Sequence, residues 1–115
     1  MSAKILKDFD EWLLLAIQAA NGQAYGVTLK KTIESKTGRP TSYGAIYTAL
    51  DRMEVEGFIS SRMGEATAER GGRAKKLFRL EGAGQLALSE SEAARRALAT
   101  PVPMLGGHRL IGGSA

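Results

Sequence analysis

The chain has 115 residues, enough for one domain with a single hydrophobic core and too few for a second. Its hydrophobic fraction of 43% and charged fraction of 24% are typical of globular proteins that fold in water, and its net charge of +4 favours a polyanionic partner. The absence of cysteine excludes disulfides and thiolate metal sites, and a single histidine, His108, disfavours an imidazole-based metal or catalytic site.

Membrane and secretion signals are not expected from the sequence either. The apolar run at residues 12–17 is far too short to span a bilayer, and charged residues interrupt residues 1–11, where a signal peptide would be apolar. We therefore expect a cytoplasmic protein with no membrane partner.

The first helix is predicted over residues 8–21. Asp8 is a suitable N-cap, Glu11 would complete a capping box, and Asn21 with the following glycine supplies a stop. Apolar residues surround most of this helix, so it must be covered on more than one side, which in so small a chain suggests a partner subunit. These residues are Phe9, Trp12, Leu13, Leu15, Ala16, Ile17, Ala19 and Ala20.

A second helix is predicted within residues 24–38. Tyr25, Leu29 and Ile33 recur every four residues and would share one face, and Gly38 is a typical helix end.

A third helix follows a short turn at residues 39–41. Ser42 is a good N-cap and Gly57 a stop. Two helices joined by so short a turn predict a helix-turn-helix. The apolar stripe of the third helix consists of Ile46, Leu50 and Met53.

A basic hairpin is predicted next. Apolar and polar residues alternate over 58–63 and again over 77–80, and the segment between them is polar and rich in glycine. Residues 62–79 carry the whole net charge of the chain, which suits phosphate binding because lysine and arginine displace condensed counterions. A charged, solvated loop is the alternative, and the neighbouring helix-turn-helix makes it the weaker one. The basic residues are Arg62, Arg70, Arg73, Lys75, Lys76 and Arg79.

A last helix is predicted over residues 83–99, ending before Pro101. The order of elements predicts a mainly α fold with a small β-hairpin, that is, a winged helix-turn-helix with a C-terminal dimerisation helix. The predicted organisation is a flexible N-terminus at 1–7, the winged domain at 8–81, the dimerisation helix at 82–100 and a disordered tail at 101–115.

The stretch GAGQLA at residues 82–87 matches a dinucleotide-binding fingerprint at the start of a helix. No parallel strand follows it, and no acidic partner for a ribose lies on a later strand. We interpret the match as a coincidence and expect no cofactor.

Three stretches together resemble the PadR-like family of transcriptional regulators: AYGVTL at 24–29, SYGAIYTALDRMEVEGFI at 42–59 and GGRAKKLFRL at 71–80. The resemblance covers residues 12 to about 88. It implies a dimeric winged-helix protein, commonly a repressor of a neighbouring gene, whose C-terminal helix packs against the first helix of its partner. Its most specific positions are Ser42, Gly44, Tyr47, Leu50, Arg52, Met53, Glu54 and Gly57.

The sequence departs from the family pattern at Glu81, where relatives usually carry a threonine that caps the last helix. Without this cap, we expect the start of the last helix to be shifted or looser than in the family. The short C-terminal region matches the subgroup with one dimerisation helix, and Gly84 matches a glycine of the family.

Carried onto this sequence, the resemblance implies that the third helix is a recognition helix whose first turn enters the major groove of DNA. A glycine at position 44 would let the backbone approach the duplex. The groove-facing residues would be Ser42, Tyr43, Gly44, Tyr47, Thr48 and Arg52, and the hairpin would add Arg70, Arg73, Lys75 and Lys76 as phosphate contacts.

Two of these residues have an alternative role. Tyr47 borders the apolar stripe and could pack at the edge of the core. Arg52 could pair with Glu56, four residues further on. Asp51 would repel phosphates, so we expect it to be exposed and without a DNA contact.

In some members of the family, the dimer interface takes up flat apolar molecules. Trp12 and Leu86 would be candidates for such an interface, with a small apolar effector as a further partner. The alternative is that Trp12 anchors the core or the interface without any ligand.

The sequence thus predicts a regulator that binds specific duplex DNA sequences as a homodimer and acts as a repressor. The alternative is a winged helix that serves as a protein-interaction module, its basic hairpin meeting an acidic partner. No nucleophile and base stand together in a way that predicts an enzyme.

Overall fold

The computed structural model describes residues 6–64 and 74–103, which form four helices and one hairpin. The predictions for residues 1–5, for Arg70 and Arg73, and for the tail beyond residue 103 lie outside this part of the chain. The helices are α1 (Asp8–Ala20), α2 (Gly26–Thr37), α3 (Tyr43–Val55) and α4 (Gly82–Ala99), and the strands are β1 (Ile59–Met63) and β2 (Lys76–Leu80).

The strands pair antiparallel, from Ile59 opposite Leu80 to Met63 opposite Lys76. Ala24, just before α2, adds an isolated bridge to Phe78, whose N–H donates to the Ala24 carbonyl at 2.8 Å. The predicted mainly α fold with a winged helix-turn-helix is confirmed.

One hydrophobic core joins all six elements. Helix α1 lies in the middle and contacts α2, α3, α4 and β2. This burial of apolar side chains stabilises the fold. The fully buried large residues are Leu13, Leu14, Ile17, Leu29, Ile46, Leu50, Met53, Ile59 and Phe78.

Local signals place the ends of the helix-turn-helix. The Ser42 hydroxyl accepts a hydrogen bond from the Ala45 N–H at 3.1 Å, which confirms it as the N-cap of α3. Gly38 and Gly57 have φ of +72° and +83°, a backbone conformation that favours glycine, at the predicted ends of α2 and α3.

The predicted capping box of α1 is wrong. Lys7 is the N-cap of α1, and no side chain caps the helix. Asp10 and Glu11 are only 5% and 4% exposed. The side of the first turn that carries Asp10 and Glu11 is covered by α3 and α4. These two carboxylates therefore accept hydrogen bonds from arginines on those helices and do not cap α1.

Helix α4 begins at Gly82, so its start is not displaced by Glu81. The Glu81 carboxylate turns towards the hairpin and accepts hydrogen bonds from the Ser60 hydroxyl and from Arg79. These two bonds lower the pKa of Glu81, the Ser60 bond being the larger cause.

Gly84 is a point of close contact between α4 and the hairpin. A Cβ atom here would lie 2.7 Å from Leu80 Cδ1 and against the backbone carbonyl of Phe58. Packing of α4 therefore accounts for this glycine. None of the helices in the described ranges is long and apolar enough to cross a membrane.

Candidate nucleic-acid interface

The first turn of α3 is open to solvent. Ser42, Gly44 and Thr48 are exposed, and a Cβ at Gly44 would meet only the Ser42 hydroxyl, 3.9 Å away. Asp51 is exposed as well, as expected. A ligand can therefore approach the backbone of this turn closely.

Tyr43 is 44% exposed and lies beneath Lys30 of α2, whose Nζ is 5.4 Å from the centre of its ring. Lys30 in turn donates to both carboxylate oxygens of Glu34 at 3.2 Å. Glu34 also accepts a 2.8 Å hydrogen bond from the Thr41 N–H in the turn before α3. One carboxylate thus ties the turn to α2 and to the lysine above Tyr43.

These bonds lower the pKa of Glu34 below its ordinary value. The bond from the Thr41 backbone is the larger cause and the bond from Lys30 the second. The charged form of Glu34 is therefore the one that fits the helix-turn-helix.

Tyr47 is 40% exposed, but the far end of its ring rests on Gly26. A Cβ at position 26 would lie 2.6 Å from Tyr47 Cζ, so only glycine leaves room for the ring. The ring packs against the start of α2 and still presents an accessible side, and a DNA contact by Tyr47 stays a prediction.

Arg52 has a partner that the sequence analysis did not identify. Its guanidinium donates two hydrogen bonds to Asp10, of 2.8 and 2.9 Å, while Glu56 lies 3.9 Å away. The bond to Asp10 is the largest cause of a raised Arg52 pKa. The geometry therefore supports a structural role for Arg52, as a clamp between α1 and α3.

The base of the hairpin carries Lys75 and Lys76. Lys75 is half-buried, and its Nζ lies 3.4 Å from the centre of the Tyr25 ring. Lys76 is exposed, 3.9 Å from Glu54. Arg62 on β1 is also exposed and reaches the Gly22 carbonyl at 3.4 Å.

Helix α3 and the hairpin therefore meet on one short segment. Tyr47 contacts Gly26 and Lys75 contacts Tyr25, which are consecutive residues. Tyr25 was predicted to share the inner face of α2 but is its N-cap residue. The AYG motif belongs to the family resemblance, but its sequence alone does not show which residues pack against it.

Away from this surface, α1 and α4 form a second candidate site. Leu15 of α1 and Leu86 of α4 are large apolar side chains that are 45% and 57% exposed. A hollow of about 520 Å³ lies between the two helices. It is lined by Glu11, Leu15, Gln18, Gln85, Leu88, Ser89, Glu92 and Arg95.

Trp12 lies on another side of α1, half-buried and packed on the core. It borders a mostly apolar hollow of about 300 Å³ between α1 and α2. Leu86 is not among the residues that line this hollow, so the structure does not bring the two predicted interface residues together. The lining consists of Trp12, Leu15, Ala16, Ala19, Thr32, Ile33, Lys36 and Thr37.

Comparison with known proteins agrees with the resemblance seen in the sequence. The model of the transcriptional regulator PadR-like family matches residues 13–90. No curated protein matches the chain.

Several solved structures share the fold. A PadR-like transcription factor from Bacteroides fragilis has a TM-score of 0.68 at 22% identity over 79% of this chain and 82% of its own. A PadR family regulator from Eggerthella lenta has a TM-score of 0.65 at 24% identity, covering 79% of this chain and 74% of that one.

A third structure is Bacillus subtilis PadR in complex with operator DNA. Its TM-score is 0.63 at 18% identity, and the match covers 90% of this chain but only 53% of that protein. At such identities, the likeness of these structures establishes the fold.

Proposed function

The chain belongs to the PadR-like family of transcriptional regulators, and from this premise we propose that it binds specific duplex DNA sequences as a homodimer and represses transcription. The recognition helix α3 would enter the major groove, and the basic hairpin would lie along the phosphate backbone.

The observation that carries this proposal is the junction at Tyr25 and Gly26. Because Lys75 rests on the first and Tyr47 on the second, the cationic hairpin base and the exposed side of α3 are neighbours. A duplex on this surface would meet a groove-reading helix and phosphate-binding cations at once. The relative solved with operator DNA supports the same use of the fold.

The residues proposed to face the groove are Ser42, Tyr43 and Gly44 of the open first turn and Thr48 in the next turn, with Tyr47 at their edge. Lys75, Lys76, Arg70 and Arg73 are the proposed phosphate contacts. Arg52 was predicted among the groove-facing residues, but its two hydrogen bonds to Asp10 favour a supporting role instead.

Dimerisation is proposed through α1 and α4, which expose Leu15 and Leu86. Leu15 also lines the hollow between the two helices. Burying such side chains against a second copy would remove apolar surface from water. The proposed small apolar effector would fit the hollow beside Trp12, whose volume lies at the lower end of ligand pockets.

Selection from a random duplex pool tests the proposal. Repeated binding should enrich one motif with two related half-sites about one helical turn, ~34 Å, apart. Transcription in vitro from a promoter that overlaps the enriched motif should fall when the protein is added. A pool that stays random, with weak binding at low salt only, would favour the protein-interaction module.

A further inference from the structure

Lys75 and Tyr25 form the shortest cation–ring contact among the described residues, 3.4 Å against 5.4 and 5.7 Å for the other two. Tyr25 directly precedes α2, and Lys75 directly precedes β2. The contact therefore joins the entrance of the helix-turn-helix to the base of the hairpin.

The backbones on both sides are fixed without this contact. The Tyr25 N–H donates to the Thr28 hydroxyl at 3.2 Å, and the Tyr25 carbonyl accepts from the Leu29 N–H at 2.9 Å. The Lys75 carbonyl accepts from the Gly64 N–H at 2.7 Å. Removing the ring should thus free the lysine side chain and leave both segments in place.

We infer that Tyr25 is a positioning residue for DNA binding, which holds the ammonium group of Lys75 ready for a backbone phosphate. The inference rests on the proposed function. An ammonium group has three N–H donors, and a ring covers only one side of it, so the remaining donors stay available to a phosphate oxygen.

The physical advantage is preorganisation. A free lysine loses side-chain freedom when it binds, whereas a lysine already held over a ring has lost much of it beforehand. Tyr47 packs on Gly26, the residue next to Tyr25. The segment Tyr25–Gly26 would therefore fix the position of the Lys75 ammonium group relative to the recognition helix.

The test measures the affinity for the selected duplex of the wild type, Tyr25→Leu and Tyr25→Phe. Tyr25→Leu should weaken binding about threefold per subunit, or about tenfold for a dimer, and Tyr25→Phe should weaken it less because it keeps the ring. Thermal midpoints of all three proteins should agree closely, because the backbone bonds remain.

Repeating the Tyr25→Leu substitution in two lysine variants tests whether Tyr25 acts through Lys75. In Lys75→Ala, the further change Tyr25→Leu should have no effect on affinity. In Lys76→Ala, the change Tyr25→Leu should keep its full effect on affinity. Lys76 is the adjacent cation and serves as the control because it faces Glu54 and Phe78.

The opposite results would overturn the inference. Tighter or unchanged binding by Tyr25→Leu would mean that the ring competes with the phosphate for Lys75 or has no influence. An equal loss in the Lys75→Ala background would mean that Tyr25 acts without Lys75. A wild type that prefers no duplex would refute the proposed function itself.

Discussion

Arg52 of α3 binds Asp10 of α1 through two parallel hydrogen bonds, 2.8 Å from Nη1 to Oδ2 and 2.9 Å from Nη2 to Oδ1. The Asp10 side chain is 7% exposed and that of Arg52 39%. The adjacent Glu11, also buried, accepts from Ser91 and Arg95 of α4. Two consecutive carboxylates on α1 thus hold α3 on one side and α4 on the other.

Replacing Arg52 with methionine should destabilise the protein, because Asp10 would remain buried without its cation. A fully buried pair costs about 3–5 kcal/mol to break, and the partial exposure of Arg52 reduces our expectation to about 2 kcal/mol. Urea unfolding measures the change. Arg96→Met is the matched control, since its pair with Glu92 is exposed and should contribute less than about 1 kcal/mol. Unchanged stability together with lost DNA affinity would make Arg52 a DNA contact instead.

Substituting Gly84 with alanine should push α4 away from the hairpin, because the new Cβ would meet the Phe58 backbone, which cannot move aside. We expect a loss of about 1–3 kcal/mol in unfolding free energy. Gly82→Ala, in the same helical turn, meets nothing within 4 Å and should cost nothing. Equal effects of the two substitutions would contradict the packing described for Gly84.

Glu34 should make the stability of the helix-turn-helix sensitive to acid. Its pKa is lowered from the ordinary value of 4.5, so its contribution is present above that value and is lost as pH falls through the folded-state pKa. The thermal midpoint of the wild type should therefore fall more steeply below pH 4.5 than that of Glu34→Gln. Parallel curves for the two proteins would show that the bonds to Thr41 and Lys30 contribute little.

The α1 and α4 surfaces should carry the dimer. Light scattering of the wild type should give twice the chain mass of 12.3 kDa. Leu15→Arg or Leu86→Arg should give the monomer mass, because a charge would have to be buried in the interface. Val55→Arg is a suitable control, since Val55 is 88% exposed and lies on α3. A wild-type monomer at micromolar concentration would refute the dimer and with it the paired half-sites.

Features with a local signal were predictable from the sequence. Ser42, Gly38 and Gly57 mark the ends of helices through their own backbone and side-chain chemistry, so a few neighbouring residues suffice to identify them. Alternating apolar and polar residues predicted the hairpin, and the family resemblance added the prediction that α3 is a recognition helix. Both rest on short stretches of sequence.

Contacts between distant residues were not predictable in this way. Glu11 satisfied a local capping pattern, but its partners lie 80 and 84 residues further along the chain, and the partner of Asp10 lies 42 residues away. No pattern within α1 distinguishes a capping carboxylate from one that binds another helix. The contact of Tyr25 with Lys75 was not predictable either, because the two residues are far apart in the sequence and come together only in the folded structure.

A salt titration on the selected site and on random duplex measures sequence-specific binding directly. We expect a steep log-log slope on both duplexes, with tighter binding to the selected site. Replacing Arg73, Lys75 and Lys76 with alanine should weaken both and flatten the slope by about five, for about six lost phosphate contacts in a dimer. Tyr43→Ala with Thr48→Ala should cost about 1–3 kcal/mol on the selected site alone. Equal affinity of the wild type for both duplexes would refute sequence-specific binding.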